Sequence, residues 1–147
     1  MRLVIDTNVV VAALRSPSGA SATLLERALD RRFTLLLSVP LALEYEGTCN
    51  DPAQRIAYGL SESEVGAIVS ALCAVAEPVR IWFLWRPQLR DPADEMVLET
   101  AVNGSADALV TFNRRDFGDA PGAFGIEMPS PRQALGKIAE LRKGKPK

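Results

Sequence analysis

The chain contains no histidine. This excludes imidazole general acid–base catalysis, Ser-His-Asp triads and zinc sites that depend on imidazole. An enzyme made from it must work through carboxylates, Lys, Arg, Ser, Thr or Tyr. There are only two cysteines, Cys49 and Cys73, at no metal or redox spacing, so buried or incidental thiols are expected rather than a disulfide. The net charge is −1, too little for a global basic field, and any nucleic-acid site would have to be local. No run approaches the roughly 20 apolar residues of a membrane span. Met1-Arg2-Leu3-Val4-Ile5-Asp6 introduces charge too early for a signal peptide, which predicts a cytoplasmic protein with no membrane partner. There is no internal repeat and no Gly-rich turn after the first strand, which argues against a dinucleotide site.

What is present is an ordinary globular composition on 147 residues, long enough for one domain with a substantial core. We expect that domain over residues 1–141, followed by a basic flexible tail over 142–147. Short apolar runs alternate with helical patterns. Leu3-Val4-Ile5, Phe33 to Leu37, Val79 to Phe83, Ala108 to Thr111 and Gly125 to Met128 read as strands. Between them, helices are predicted from Val9, from Ser21 to Arg32, after Ser38, and from Ser61 to about Ala76 behind a Ser-x-x-Glu capping box. Residues 50–58 are less legible, as a helix broken by Pro52 and Gly59, and a final helix starts at Ser130-Pro131. The alternation predicts an α/β fold, a central mostly parallel sheet flanked by helices.

The densest chemistry lies in Arg90-Asp91-Pro92-Ala93-Asp94-Glu95-Met96-Val97-Leu98-Glu99. Pro92 biases Asp91 away from helical geometry, which makes Asp94 a natural helix start. Val97, Leu98, Ala101 and Val102 continue from it as a buried stripe, with Glu95 at the edge and Glu99 further round. A carboxylate at the head of that stripe is either a cap or a ligand. Asp6, at the end of the first strand, carries the same two readings. On the helix after Ser38, Glu44 shares a face with Leu41 and Tyr45, whereas Glu46 fits the stripe of Val39, Ala42 and Leu43; periodicity does not choose between them. A further polar cluster, Asn113 to Asp116, follows the strand ending at Thr111.

In a parallel sheet the strand C-termini share one edge. Acids gathered there repel one another and raise their pKa values, a conflict that a hard divalent cation removes. Without histidine, Mg²⁺ or Mn²⁺ suits such a site better than zinc. An aspartate-nucleophile phosphatase would need a second aspartate two residues after the first, where this chain has Asn8.

Taken in order, Leu3-Val4-Ile5-Asp6-Thr7-Asn8, Glu44, Asp91-Pro92-Ala93-Asp94-Glu95 and Val110-Thr111-Phe112-Asn113-Arg114-Arg115-Asp116-Phe117 resemble the PIN-domain family. The nearest resemblance is to toxins of type II toxin–antitoxin systems, the VapC-type ribonucleases. It implies a three-layer PIN-like fold and a metal-dependent endoribonuclease that cleaves RNA by water attack. It matches Asp6, Glu44 and Asp94 to three family acids and so favours Glu44 over Glu46. It puts Mg²⁺ or Mn²⁺ on Asp6 and Asp94, with Glu44 direct or through water. At the fourth acidic position stands Asn113, which can coordinate or orient water but brings no charge, and Asp116 lies three residues on. The departure weakens a second metal site. Thr7, Asn8 and Thr111 become candidates for orienting water, and Asp91, Glu95 and Asp116 for supplying the missing charge. The implied partners are RNA, a small antitoxin that blocks the cleft and a second copy of the chain. A catalytically weakened module of the same fold, acting by RNA or antitoxin binding, is the alternative.

Overall fold

The computed structural model describes residues 1–82, 89 and 91–144, the last three by backbone alone. Its order is β1 (Arg2–Ile5), α1 (Thr7–Arg15), α2 (Ala20–Leu29), β2 (Thr34–Leu37), α3 (Val39–Cys49), α4 (Pro52–Tyr58), α5 (Glu62–Val75), β3 (Glu77–Pro78), α6 (Pro92–Asn103), β4 (Ala108–Val110), α7 (Arg114–Phe117), α8 (Ala120–Ala123) and α9 (Pro131–Gly144).

The four strands form one parallel sheet, in the order β3-β2-β1-β4, flanked by helices. β1 is central. Its Leu3, Val4 and Ile5 are fully buried, as expected of a strand covered on both faces. Leu3 pairs with Leu35 on one side and Ala108 on the other, and Ile5 pairs with Val110, so β1 and β4 end side by side. The Asp6 amide extends that ladder by donating to the Val110 carbonyl at 2.9 Å. Among the described residues all buried apolar side chains belong to one core cluster. Among the described residues no helix is long and apolar enough to cross a membrane.

Local chemistry explains most helix ends. Ser38 accepts from the Leu41 amide at the head of α3, and Pro40 sits where its missing donor costs nothing. Ser61 and Glu64 form both halves of the expected capping box. Ser130 and Gln133 form a reciprocal pair of the same kind at the head of α9. Cys49 and Cys73 are both free thiols.

Several expectations are corrected. The cap of α6 is Asp91, whose carboxylate accepts from the Ala93 amide at 2.9 Å, so Asp94 lies inside the first turn. Proline at the first helical position leaves the residue before it to cap. Glu95 and Glu99 are buried rather than at the edge of the stripe. The third strand is Glu77–Pro78, not the apolar run from Val79; the Val79 amide makes one last bond to Leu37 O, and Phe83 lies outside the described residues. Trp82 is exposed, and its backbone amide donates to Asn103; Trp85 and Arg90 also lie outside the described residues. The strand expected at 125–128 reduces to a single parallel bridge between Ala108 and Glu127. α9 runs to Gly144.

The end of α6 shows why glycine stands at 104. Its φ of −88° needs no glycine, but a β-carbon there would lie 2.9 Å from both Thr100 O and Val79 Cγ2. The helix thus packs its last turn directly onto the sheet, and the left-handed turn residue is Ser105 instead.

Candidate active site

The parallel sheet brings the ends of β1 and β4 together, and the chemistry starts there. Asp6 follows β1 and is 6% exposed. It stands at the cap position of α1 but makes no capping bond. Its carboxylate Oδ2 accepts from Thr111 Oγ1 at 2.7 Å, and Thr111 Oγ1 in turn accepts from the Asn113 amide at 2.9 Å. One buried hydroxyl therefore fixes both the first acid and the turn after β4.

α3 supplies the next acid. Leu41 and Tyr45 form its buried face, and Tyr45 donates its hydroxyl to the Ile5 carbonyl, next to Asp6. Burial keeps that hydroxyl protonated by pushing its pKa well up. Glu44, beside Tyr45, lines the cleft and accepts from Thr48 Oγ1 at 3.1 Å. Glu46 is exposed and does not line it. The Ser38 and Thr100 hydroxyls, buried and 2.7 Å apart, tie the start of α3 to α6.

Asp6, Thr7, Asn8, Glu44, Asp94 and Asn113 line one cleft of about 290 Å³. Asp91 is taken up as the cap of α6 and does not line the cleft, nor does Glu95, whose Oε1 accepts from the Leu89 amide at 2.6 Å. Asp116 is exposed on α7 and does not line the cleft either, yet its charge raises the pKa of both Asp6 and Asp94. Sequence reading missed Thr48, Gln54 and Tyr45. Thr48 was accessible, since it stands one helical turn after Glu44; Gln54, held by Arg15 at 2.8 Å, and the Tyr45–Ile5 bond depend on tertiary contacts.

The electrostatics are those of crowded acids. Burial pushes the Asp6 carboxyl above its ordinary range, the Thr111 hydroxyl draws it back, and Asp116 and Glu44 push it up again. Asp94 is pushed up to about 6, first by desolvation, then by Asp6, Asp91, Asp116 and Glu44. Among the described residues no lysine or arginine lines the cleft. Among the described residues the Thr7 hydroxyl and Asn8 Oδ1 are buried without a hydrogen-bond partner. An all-oxygen donor set with surplus negative charge and orphaned polar atoms fits a hard divalent cation. Among the described residues no three acids or thiols are gathered tightly enough to hold an ion by themselves, so water would complete the shell.

The same crowding has a consequence for stability. In the unfolded chain Asp94 returns to its ordinary 3.8, whereas folded it titrates at about 6. Between those values the native state binds more protons, so stability falls as pH rises through the window. With a chelator present, Tm is expected to rise as pH is lowered from 7.5 to 5, and Asp94→Asn should flatten the profile. Glu77, whose pKa is lowered by Arg2, opposes this only below 4.5. Thermal melts across that range check it; a wild-type Tm that falls steadily on acidification would contradict the crowding.

A parallel α/β domain with an acidic cleft at the carboxyl edge of its sheet is thus the class defined by fold and site. The family model for the PIN domain matches residues 2–115, and the chain belongs to the PIN-domain family. The match takes in Asp6, Glu44, Asp94 and Asn113 and stops one residue short of Asp116. PIN domains are in general RNA-binding nucleases that use divalent metal ions. No curated protein matches the chain.

Proposed function

We propose that this protein is a metal-dependent endoribonuclease, the toxin of a cytoplasmic toxin–antitoxin pair. The observation that carries the reading is the single cleft on which Asp6, Glu44 and Asp94 meet, with Asp94 pushed up to about 6 by desolvation and then by its acidic neighbours, and no basic side chain on the wall among the described residues. Asp6 and Asp94 would hold Mg²⁺ or Mn²⁺, with Glu44 binding directly or through water. When bound, the ion supplies an acidified water and a positive charge for the phosphoryl oxygen.

The protein's own groups do the rest. Asp6 is held in one orientation by Thr111, and Glu44 by Thr48. Asn113, with its amide tied to Thr111, presents its side chain to orient the attacking water. Among the described residues the Thr7 hydroxyl and Asn8 Oδ1 are unpaired: the hydroxyl can donate to water or to a phosphate oxygen, and Oδ1 can accept from water. An anionic RNA is repelled from this wall until its acids are neutralised, which couples metal and substrate binding. The same acids would accept an arginine from a small antitoxin.

Purified protein is expected to cleave single-stranded RNA with Mn²⁺ or Mg²⁺. A chelator should stop the reaction, and excess metal should restore it. Asn113 at the usually acidic fourth position favours a second reading, a weakened module that binds RNA or antitoxin without turnover. RNA binding with no cleavage at any Mn²⁺ concentration would establish that reading instead. A second copy of the chain is a further proposed partner, and light scattering that gives a monomer at high concentration removes it.

A further inference from the structure

Phe112 and Asn113 are consecutive, yet they line different cavities. Asn113 faces the acidic cleft, whereas Phe112 faces a neighbouring hollow of about 430 Å³, lined also by Ala12, Ser16, Gly19, Ser21 and Arg132. α1 separates the two, with Asn8 and Val11 on one side and Ala12 and Ser16 on the other. A strand that leaves the cleft over the 112–113 turn enters this hollow directly.

The chemistry of the hollow is opposite to that of the cleft. Phe112 is 53% exposed, an aromatic ring held in water between buried Thr111 and the cleft residue Asn113. α2 starts here without a side-chain cap, and the amides of Ala20, Ser21 and Ala22 have no partner among the described residues. Ser21 is only 6% exposed, lines the hollow, and its hydroxyl makes no hydrogen bond among the described residues. Arg132, exposed in the first turn of α9, makes no ion pair among the described residues. Three open amides at a helix start, the unpaired hydroxyl of a buried serine that lines the hollow, and a guanidinium free of ion pairs among the described residues suit an anionic oxygen group. An exposed ring beside them suits a base. The size is in the range of small-ligand sites.

We propose that this hollow is a nucleotide subsite of the RNA groove. It takes one nucleotide adjacent to the scissile bond, with its base on Phe112 and its phosphate at the start of α2 beside Ser21 and Arg132. The inference rests on the ribonuclease reading for its substrate and adds where the strand is gripped: metal neutralises one phosphate in the cleft, and the protein's own positive groups receive the next.

The test uses the full chain, a short fluorescein-labelled single-stranded RNA for binding by anisotropy, and Mn²⁺-dependent cleavage of the same RNA. Phe112→Ala should weaken binding roughly five- to hundredfold, with the loss in kcat/KM carried by KM. Its Mn²⁺ affinity should match wild type, and Phe112→Tyr should restore RNA binding. Arg132→Gln should lower the salt dependence of binding by about one unit of slope. Unchanged Kd and KM in Phe112→Ala, with cleavage intact, overturns the subsite and leaves the ribonuclease reading standing. If the wild type cleaves no RNA, anisotropy alone decides: weaker binding by Phe112→Ala supports the subsite, and unchanged binding overturns it. Loss of self-association in Phe112→Ala with RNA binding unchanged makes the hollow a protein contact and likewise overturns it.

Discussion

Asp6→Asn is expected to lower Mn²⁺-dependent RNA cleavage by about a hundredfold or more while leaving the metal-free protein at least as stable as wild type. The two effects share one cause. Asp6 is buried at the end of the central strand, and desolvation is the leading reason that its carboxyl titrates high. A charge held there costs the fold free energy unless an ion compensates it. Asparagine keeps the shape and can still accept from Thr111 Oγ1 through its amide oxygen, so the 2.7 Å bond has a successor. What it loses is the charge proposed to hold the cation. Losing several kcal/mol of transition-state stabilisation from a displaced metal is a factor of 10² or more in rate. Calorimetric titration of Mn²⁺, thermal melts in chelator and cleavage rates, compared between the two proteins, check each half. Equal Mn²⁺ binding and equal cleavage would remove Asp6 from the site. A large fall in Tm would show that the residue is structural.

Much of the fold could be read before the structure because the local signals were strong. β1, β2 and β4 are buried on both faces, so they appear as uninterrupted apolar runs between turn residues. Ser38, Ser61 and Ser130 are caps whose partners stand three residues on, a spacing visible in any sequence. The failures have equally local causes. β3 holds only Glu77 and Pro78, and its place is set by β2's ladder rather than by its own composition. The apolar run that follows it mimics a strand better than the strand does.

The site was legible to a different degree. Asp6 and Asp94 could be found because an acid after a strand and an acid at a helix start are positional signals, although the cap turned out to be Asp91. Glu44 could not be separated from Glu46 because α3 is apolar on two faces. Val39 and Leu43 form the competing stripe, and the structure leaves them 72% and 62% exposed, while Leu41 and Tyr45 are buried. An exposed stripe looks the same as a buried one in sequence. Glu95 misled in the opposite direction: a glutamate read at the edge of the stripe is buried, with its Oε1 accepting from the backbone at Leu89. No pattern of types reports that contact, since the residues between 82 and 91 carry no periodic signal.

Asn113→Asp should strengthen Mn²⁺ binding and raise cleavage by about tenfold. Asn113 lines the same cleft as Asp6, Glu44 and Asp94, and its backbone is already fixed by Thr111, so an aspartate there adds charge at an organised position. The metal-free protein should respond in the other sense. A further acid beside Asp94 pushes a carboxyl already at about 6 higher still, and Tm in chelator at pH 7.5 should drop below wild type. Asp116 is the rival source of the missing charge. Its influence on Asp6 ranks ahead of that of Glu44, but it sits exposed on α7, off the cleft wall, where solvent screens it. Asp116→Asn is therefore expected to lower cleavage only about twofold at low salt and less at high salt. If Asp116 instead reaches the ion, the order reverses: Asp116→Asn becomes the damaging change, and Asn113→Asp adds a carboxylate with nothing to neutralise it, so that activity stays flat or falls. Cleavage rates and Mn²⁺ titrations of the two variants, each at two ionic strengths, separate these outcomes, because only a ligand's contribution persists when salt is raised.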